Sequence, residues 1–155
     1  MKIRSYRNTP FALLAAFALL LAACSESMTE MEEHAEPEGV ELVLGGRVIA
    51  EYQGETQRWI GELEVDVGEE TAHIAVRFVD HDGDAIPLDE DLYLEVEVED
   101  ESIAEFEQDT PGEFGGHLHG VAEGETGVTF RLMHGTVGSG HADFVTTPVH
   151  AHVHS

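Results

Sequence analysis

Leu92-Tyr93-Leu94-Glu95-Val96-Glu97-Val98 alternates one aliphatic residue with one that is mostly acidic. Side chains in an extended strand point to opposite faces in turn, so this period puts four aliphatic residues on one side and two carboxylates on the other. A helix would space its apolar residues by three and four. The stretch therefore reads as a strand with one buried face.

The same period extends outward along the chain. Upstream, Trp59, Leu63, Val65 and Val67 alternate with Ile60, Glu62, Glu64 and Asp66, and Ala72, Ile74, Val76 and Phe78 alternate with His73, Ala75 and Arg77. Downstream, Val128, Phe130 and Leu132 alternate with Thr129, Arg131 and Met133. Turn residues separate the runs: Gly45-Gly46, Gly68-Glu69-Glu70, Asp82-Gly83-Asp84, Pro111-Gly112, Gly124-Glu125 and Gly138-Ser139-Gly140. No segment beyond residue 40 carries a helical period of useful length. Seven to nine short strands are expected in about 115 residues, which predicts an all-β fold, a single antiparallel β-sandwich over 40–155. A domain of that size buries one core without disulfides.

Histidines punctuate the later strands. His117/His119 and His150/His152/His154 are spaced by two, so each set shares a face, with Leu118 or Val149, Ala151 and Val153 on the other. Met133-His134 ends one expected strand and His141-Ala142-Asp143 opens the next, so a hairpin would bring them together. Imidazoles with a carboxylate suit zinc or copper(II), with nickel possible. The expected metal ligands are His117, His119, His134, His141, Asp143, His150 and His152. The alternative is a solvated or pH-sensing histidine face. Two other groups offer weaker ligand sets. Met28, Met31 and His34 would suit copper(I), and Asp80-x-Asp82-Gly83-Asp84 offers oxygen ligands for calcium or is an ordinary hairpin turn.

The start of the chain reads as an address. Lys2, Arg4 and Arg7 precede the apolar run Phe11–Leu21, too short to span a bilayer and right for a secretion signal. Leu21-Ala22-Ala23-Cys24 resembles a bacterial lipobox. The resemblance implies cleavage after residue 23, lipidation of Cys24 and a membrane partner through the lipid anchor. Ser25 after the cysteine implies the outer membrane of a bacterial cell envelope. Residues 24–39, acidic and almost free of apolar side chains, are expected to be a disordered tether.

Charge excludes further classes. Removing residues 1–23 leaves four arginines against 32 acids, a formal net charge of −28. Such a chain is repelled from nucleic acid and anionic surfaces, and its natural counter-charge is a cation. The same acidity would also keep a protein solvated in a salty habitat. Catalysis has little support: the only cysteine is the expected lipidation site, no serine sits in a nucleophile-elbow context, and no glycine-rich phosphate loop is present. Three histidines and a water would suffice for a hydrolytic metal site.

Asp100-Glu101-Ser102-Ile103-Ala104-Glu105-Phe106, Gly120-Val121-Ala122-Glu123-Gly124-Glu125-Thr126-Gly127-Val128-Thr129-Phe130 and Pro148-Val149-His150-Ala151-His152-Val153 together resemble the second half of the bacterial immunoglobulin-like domains of surface proteins. Phe78–Asp84 resembles their early hairpin. The resemblance covers about residues 70–154 and implies an immunoglobulin-like sandwich with an adhesive or spacing role. The extra residues Glu107–Gly115 and the histidines depart from it. The expected function is thus a lipid-anchored envelope protein that binds transition-metal ions, with a structural or adhesive surface module as the alternative.

Overall fold

Residues 36–155 are described by the structure, a computed structural model. The expected signal, Cys24, most of the expected tether and the Met28/Met31/His34 group lie outside the described residues. Eleven strands follow, more than the seven to nine expected: β1 (Gly39–Leu44), β2 (Arg47–Gln53), β3 (Arg58–Gly61), β4 (Leu63–Asp66), β5 (Ile74–Val79), β6 (Leu92–Val98), β7 (Ala104–Glu107), β8 (Gly115–Gly120), β9 (Gly124–His134), β10 (His141–Val145) and β11 (Val149–His154). The end of the expected tether is already part of the sheet. The Glu38 amide donates to the Val79 carbonyl at 2.8 Å, and β1 starts at Gly39.

The strands form a β-sandwich. One sheet has the order β3-β2-β1-β5-β8-β7. The other is built on β9, the longest strand at 11 residues, which pairs with β6 along one edge and with β10 and then β11 along the other. Antiparallel pairing prevails, with one correction to the expectation: β4 lies parallel to β11, Leu63 opposite Ala151 and Asp66 opposite His154.

One of the extra strands comes from a break in a run. Trp59–Val67 reads as continuous alternation, but Gly61 has φ 92°, a conformation that costs little only without a Cβ. There the chain leaves the first sheet, where β3 pairs with β2, and enters the second, where β4 pairs with β11. The two-residue turn Gly45-Gly46, φ 58° and 80°, joins β1 to β2 by the same freedom.

Between the sheets, Val40, Leu42, Ile74, Phe78 and Leu118 pack against Leu63, Leu94, Val128, Phe130 and Val149, all essentially without solvent exposure. Each such side chain contributes about 1.5–3 kcal/mol on burial. Aromatic rings tie the layers together: Trp59 stands 6.0 Å from Phe130 between centroids, and its indole N–H donates to the Thr147 carbonyl at 2.7 Å. With the aliphatic positions filling the interior, the alternating histidines of β8 and β11 fall on the outer faces, while His134 and His141 lie where β9 and β10 meet their turn.

Candidate metal centre

The β9–β10 hairpin assembles the tightest histidine group. Its turn is anchored at both ends, the Gly135 amide donating to the Asp91 carbonyl at 2.7 Å and the Gly140 amide to the Tyr93 hydroxyl at 3.2 Å. His141 thereby becomes the cross-strand partner of His134. The ladder then slips: Ala142 faces Met133, but Phe144, not Asp143, faces Leu132. Asp143 is the extra residue of a β-bulge, a device that re-aims a side chain and bends the strand. Phe144 takes the inward place, 6.0 Å from the Tyr52 and Phe78 rings, and Asp143 stays with the two imidazoles.

Asp143 Oδ2 lies 3.4 Å from His134 Nδ1, and its Oδ1 lies 3.0 Å from His141 Nε2. One ligand atom from each of the three residues falls within 4.8 Å of the others. Tetrahedral ligands held at about 2.0–2.1 Å from an ion are roughly 3.4 Å apart. The two imidazole–carboxylate spacings are therefore close to those around an ion. The other ring nitrogen of His134, Nε2, meets Asp91 Oδ2 at 2.9 Å. That hydrogen bond raises the His134 pKa above its ordinary value, with the Asp143 charge acting in the same direction. Around a bound metal, Asp91 would instead hold the ring in the tautomer that presents Nδ1, the usual arrangement behind a ligating histidine. His134, Asp143 and Asp91 rim a cleft of ≈ 640 Å³ with Ile86, Leu92 and Leu132 on its apolar wall.

The other expected ligands lie elsewhere. His117 and His119 do share the outer face of β8, yet each addresses its own acids. His117 Nε2 lies 3.7 Å from Asp109, whereas His119 Nε2 lies 3.4 Å from Glu70 and 3.3 Å from Glu107. The hydrogen bond from His117 Nδ1 to the Thr71 carbonyl, at 2.9 Å, is the chief cause of a raised His117 pKa, with Asp109 and Glu70 adding to it. On β11, His152 stacks on His154 with centroids 6.0 Å apart; His152 faces Glu62 and Glu125, each at 3.4 Å, and His154 faces Glu64 at 3.5 Å. His150 is exposed opposite Gly127. The seven expected ligands are thus divided between two sheets, and the fold groups His134, His141 and Asp143. Asp91, 43 residues before His134, carries no local sequence signal of its part.

At Asp80, Oδ1 accepts the amides of Asp82 and Asp84, both at 3.0 Å. That is the self-capping of a turn, with Gly83 at φ 82°.

No protein family and no curated protein matches this chain. Among solved structures it is similar to the crystal structure of the S-layer protein SbsC domains 4 and 5, with 19% identity and a TM-score of 0.43 over 61% of this chain. The similarity spans about half of that structure, 47% of its length.

Proposed function

We propose that this is a lipid-anchored protein of the bacterial cell envelope, an immunoglobulin-like sandwich that binds a transition-metal ion through His134, His141 and Asp143. The observation that carries the reading is the bulge that sets a carboxylate beside a cross-strand imidazole pair at ligand spacing. Two imidazoles and a carboxylate favour zinc or copper(II) over calcium or magnesium, which prefer all-oxygen sites. Water fills the remaining positions, since His141 and Asp143 are exposed. The acidic surface raises the local concentration of cations around the site.

The test is metal content. Untagged wild-type protein dialysed against zinc ion should carry one more equivalent than a His134→Ala/His141→Ala variant, measured by elemental analysis. Equal loading of the two would refute the reading. For the anchor, Cys24→Ser should release the protein from the membrane fraction; retention at unchanged processed mass would refute lipidation.

One observation favours the second reading, a surface module with pH-sensing histidines. Among the described residues, eight histidines have a ring nitrogen within 3.8 Å of a carboxylate oxygen. A positively charged imidazole at any of these contacts would form an ion pair and offset part of the surface's negative charge. Adhesion or self-association that changes between pH 5 and 7.5 in metal-free buffer would identify this role.

A further inference from the structure

We infer that the outer face of the six-stranded sheet carries a second, separate site for a divalent transition-metal ion, built from His73, His117, Asp109 and Glu113. The inference does not depend on the hairpin site: none of these residues belongs to it, and they lie on or beside β8 and the loop between β7 and β8.

Three features make this a prepared site. A carbonyl oxygen can only accept, so His117 Nδ1 carries the proton given to Thr71, and in the neutral ring this leaves Nε2, on the Asp109 side, as the nitrogen able to bind a cation. This is how a ligating imidazole is commonly oriented. Thr71 is itself fixed to β8, its amide donating to the Leu118 carbonyl at 2.9 Å and its hydroxyl oxygen accepting the Leu118 amide at 3.0 Å.

Second, the His73 ring is seated by a missing side chain. A Cβ at Gly115 would stand 2.3 Å from its Cε1 and 2.7 Å from its Nε2. Glycine there lets the imidazole lie over the backbone, edge-to-face with His117 at a centroid separation of 5.5 Å. The two rings therefore meet at the mouth of the same loop.

Third, that loop brings the carboxylates. Glu113 Oε1 accepts the Asp109 backbone amide at 2.7 Å, which fixes the Glu113 carboxylate within the loop. Glu113 Oε1 lies 3.8 Å from His73 Nε2. One ligand atom from each of His73, Asp109 and Glu113 falls within 4.8 Å of the others, and His117 Nε2 reaches the group through Asp109 at 3.7 Å. Two imidazoles and two carboxylates form a four-ligand set for a zinc-class ion, richer in charge than the hairpin site and able to close with modest movement.

The experiment uses the full untagged chain and zinc ion alone, with bound ions counted by dialysis and elemental analysis and the histidine ring signals followed by NMR. Wild type should bind two ions. His134→Ala/His141→Ala should keep one, whose binding shifts the His73 and His117 resonances, and adding His73→Ala/His117→Ala should remove it. Asp109→Asn and Glu113→Gln guard against misfolding, since both leave the imidazoles and the loop size unchanged. Each should weaken this ion more than about tenfold, the loss already typical of outer-shell partners. If the ion retained by His134→Ala/His141→Ala binds equally well after His73→Ala/His117→Ala and after both acid substitutions, the inference is overturned. If instead His134→Ala/His141→Ala loads as wild type while His73→Ala/His117→Ala loses an ion, the hairpin site fails and this one stands.

Discussion

His141 sits directly across the ladder from His134, their rings 5.3 Å apart between centroids and tilted by 35°, with Asp143 touching a nitrogen of each. An ion that binds this arrangement and not the unfolded chain stabilises the fold by about 2.7 kcal/mol when free metal is a hundred times its dissociation constant. Zinc ion should therefore raise the melting temperature at pH 7.5, and His134→Ala/His141→Ala should lose that part of the rise. Asp91→Asn should leave the ligands in place yet weaken binding about 10–100-fold, because the His134 ring loses its carboxylate partner. Titration calorimetry on the two variants separates ligand loss from misorientation.

The pH dependence without metal should have the opposite sign. His134 and His117 both have folded pKa values raised above the ordinary 6.5, by hydrogen bonds to Asp91 and to the Thr71 carbonyl respectively, so folding favours their protonated forms. That contribution is complete below about 6.5 and is lost as pH rises through the raised folded values. In the presence of chelator, the melting temperature should fall between pH 6 and pH 8.5, and the fall should be smaller in Asp91→Asn. With zinc it should rise over the same range, because metal needs the neutral rings. Thermal melts at matched ionic strength distinguish the two curves.

Sequence period alone revealed much of this fold and part of the site. Leu92–Val98, Ile74–Val79 and the β8 and β11 histidine strands carry the period because one face of each meets the core, although Tyr93 and Val79 on the opposite faces are buried as well. The hairpin ends at His134 and His141 were readable from the Gly138-Ser139-Gly140 turn signal. The bulge at Asp143 was not, since it is decided by which of Asp143 and Phe144 the core accepts opposite Leu132. His73, Asp109 and Glu113 escaped for another reason: they meet His117 only through the pairing of β5, β7 and β8, which no local pattern encodes. The parallel β4–β11 pair likewise depends on the sheet change at Gly61.

Salt should stabilise the protein. Beyond residue 23 the chain has four arginines against 32 acids, and among the described residues Arg77 already pairs with Glu41 at 2.6 Å and Arg131 with Glu95 at 3.1 Å. Repulsion among the remaining acids acts across distances that salt shortens, from about 10 Å at 0.1 M to about 3 Å at 1 M. The melting temperature should rise over that range of sodium chloride. A flat response would mean that the acids are too widely dispersed to repel.

Gly61 should be less replaceable than Gly46. Its φ of 92° costs a side-chain-bearing residue about 1–2 kcal/mol, and a Cβ there would stand 2.3 Å from the carbonyl oxygen of Ile49, the residue before Gly61's ladder partner Ala50. Gly46, at φ 80° with nothing within 4 Å of a Cβ, would incur the conformational cost alone. Gly61→Ala should therefore lower the urea-unfolding free energy by more than about 2 kcal/mol, and Gly46→Ala by about 1–2 kcal/mol. The displaced backbone would also move Glu62 away from His152, which it approaches to 3.4 Å, while the hairpin donors at His134 and His141 stay together. Zinc affinity at the hairpin site should survive in folded Gly61→Ala, and the His152 ring signal should shift. Equal destabilisation by the two substitutions would show that β3 yields to the added methyl group and that the crossing between sheets is not fixed by Gly61.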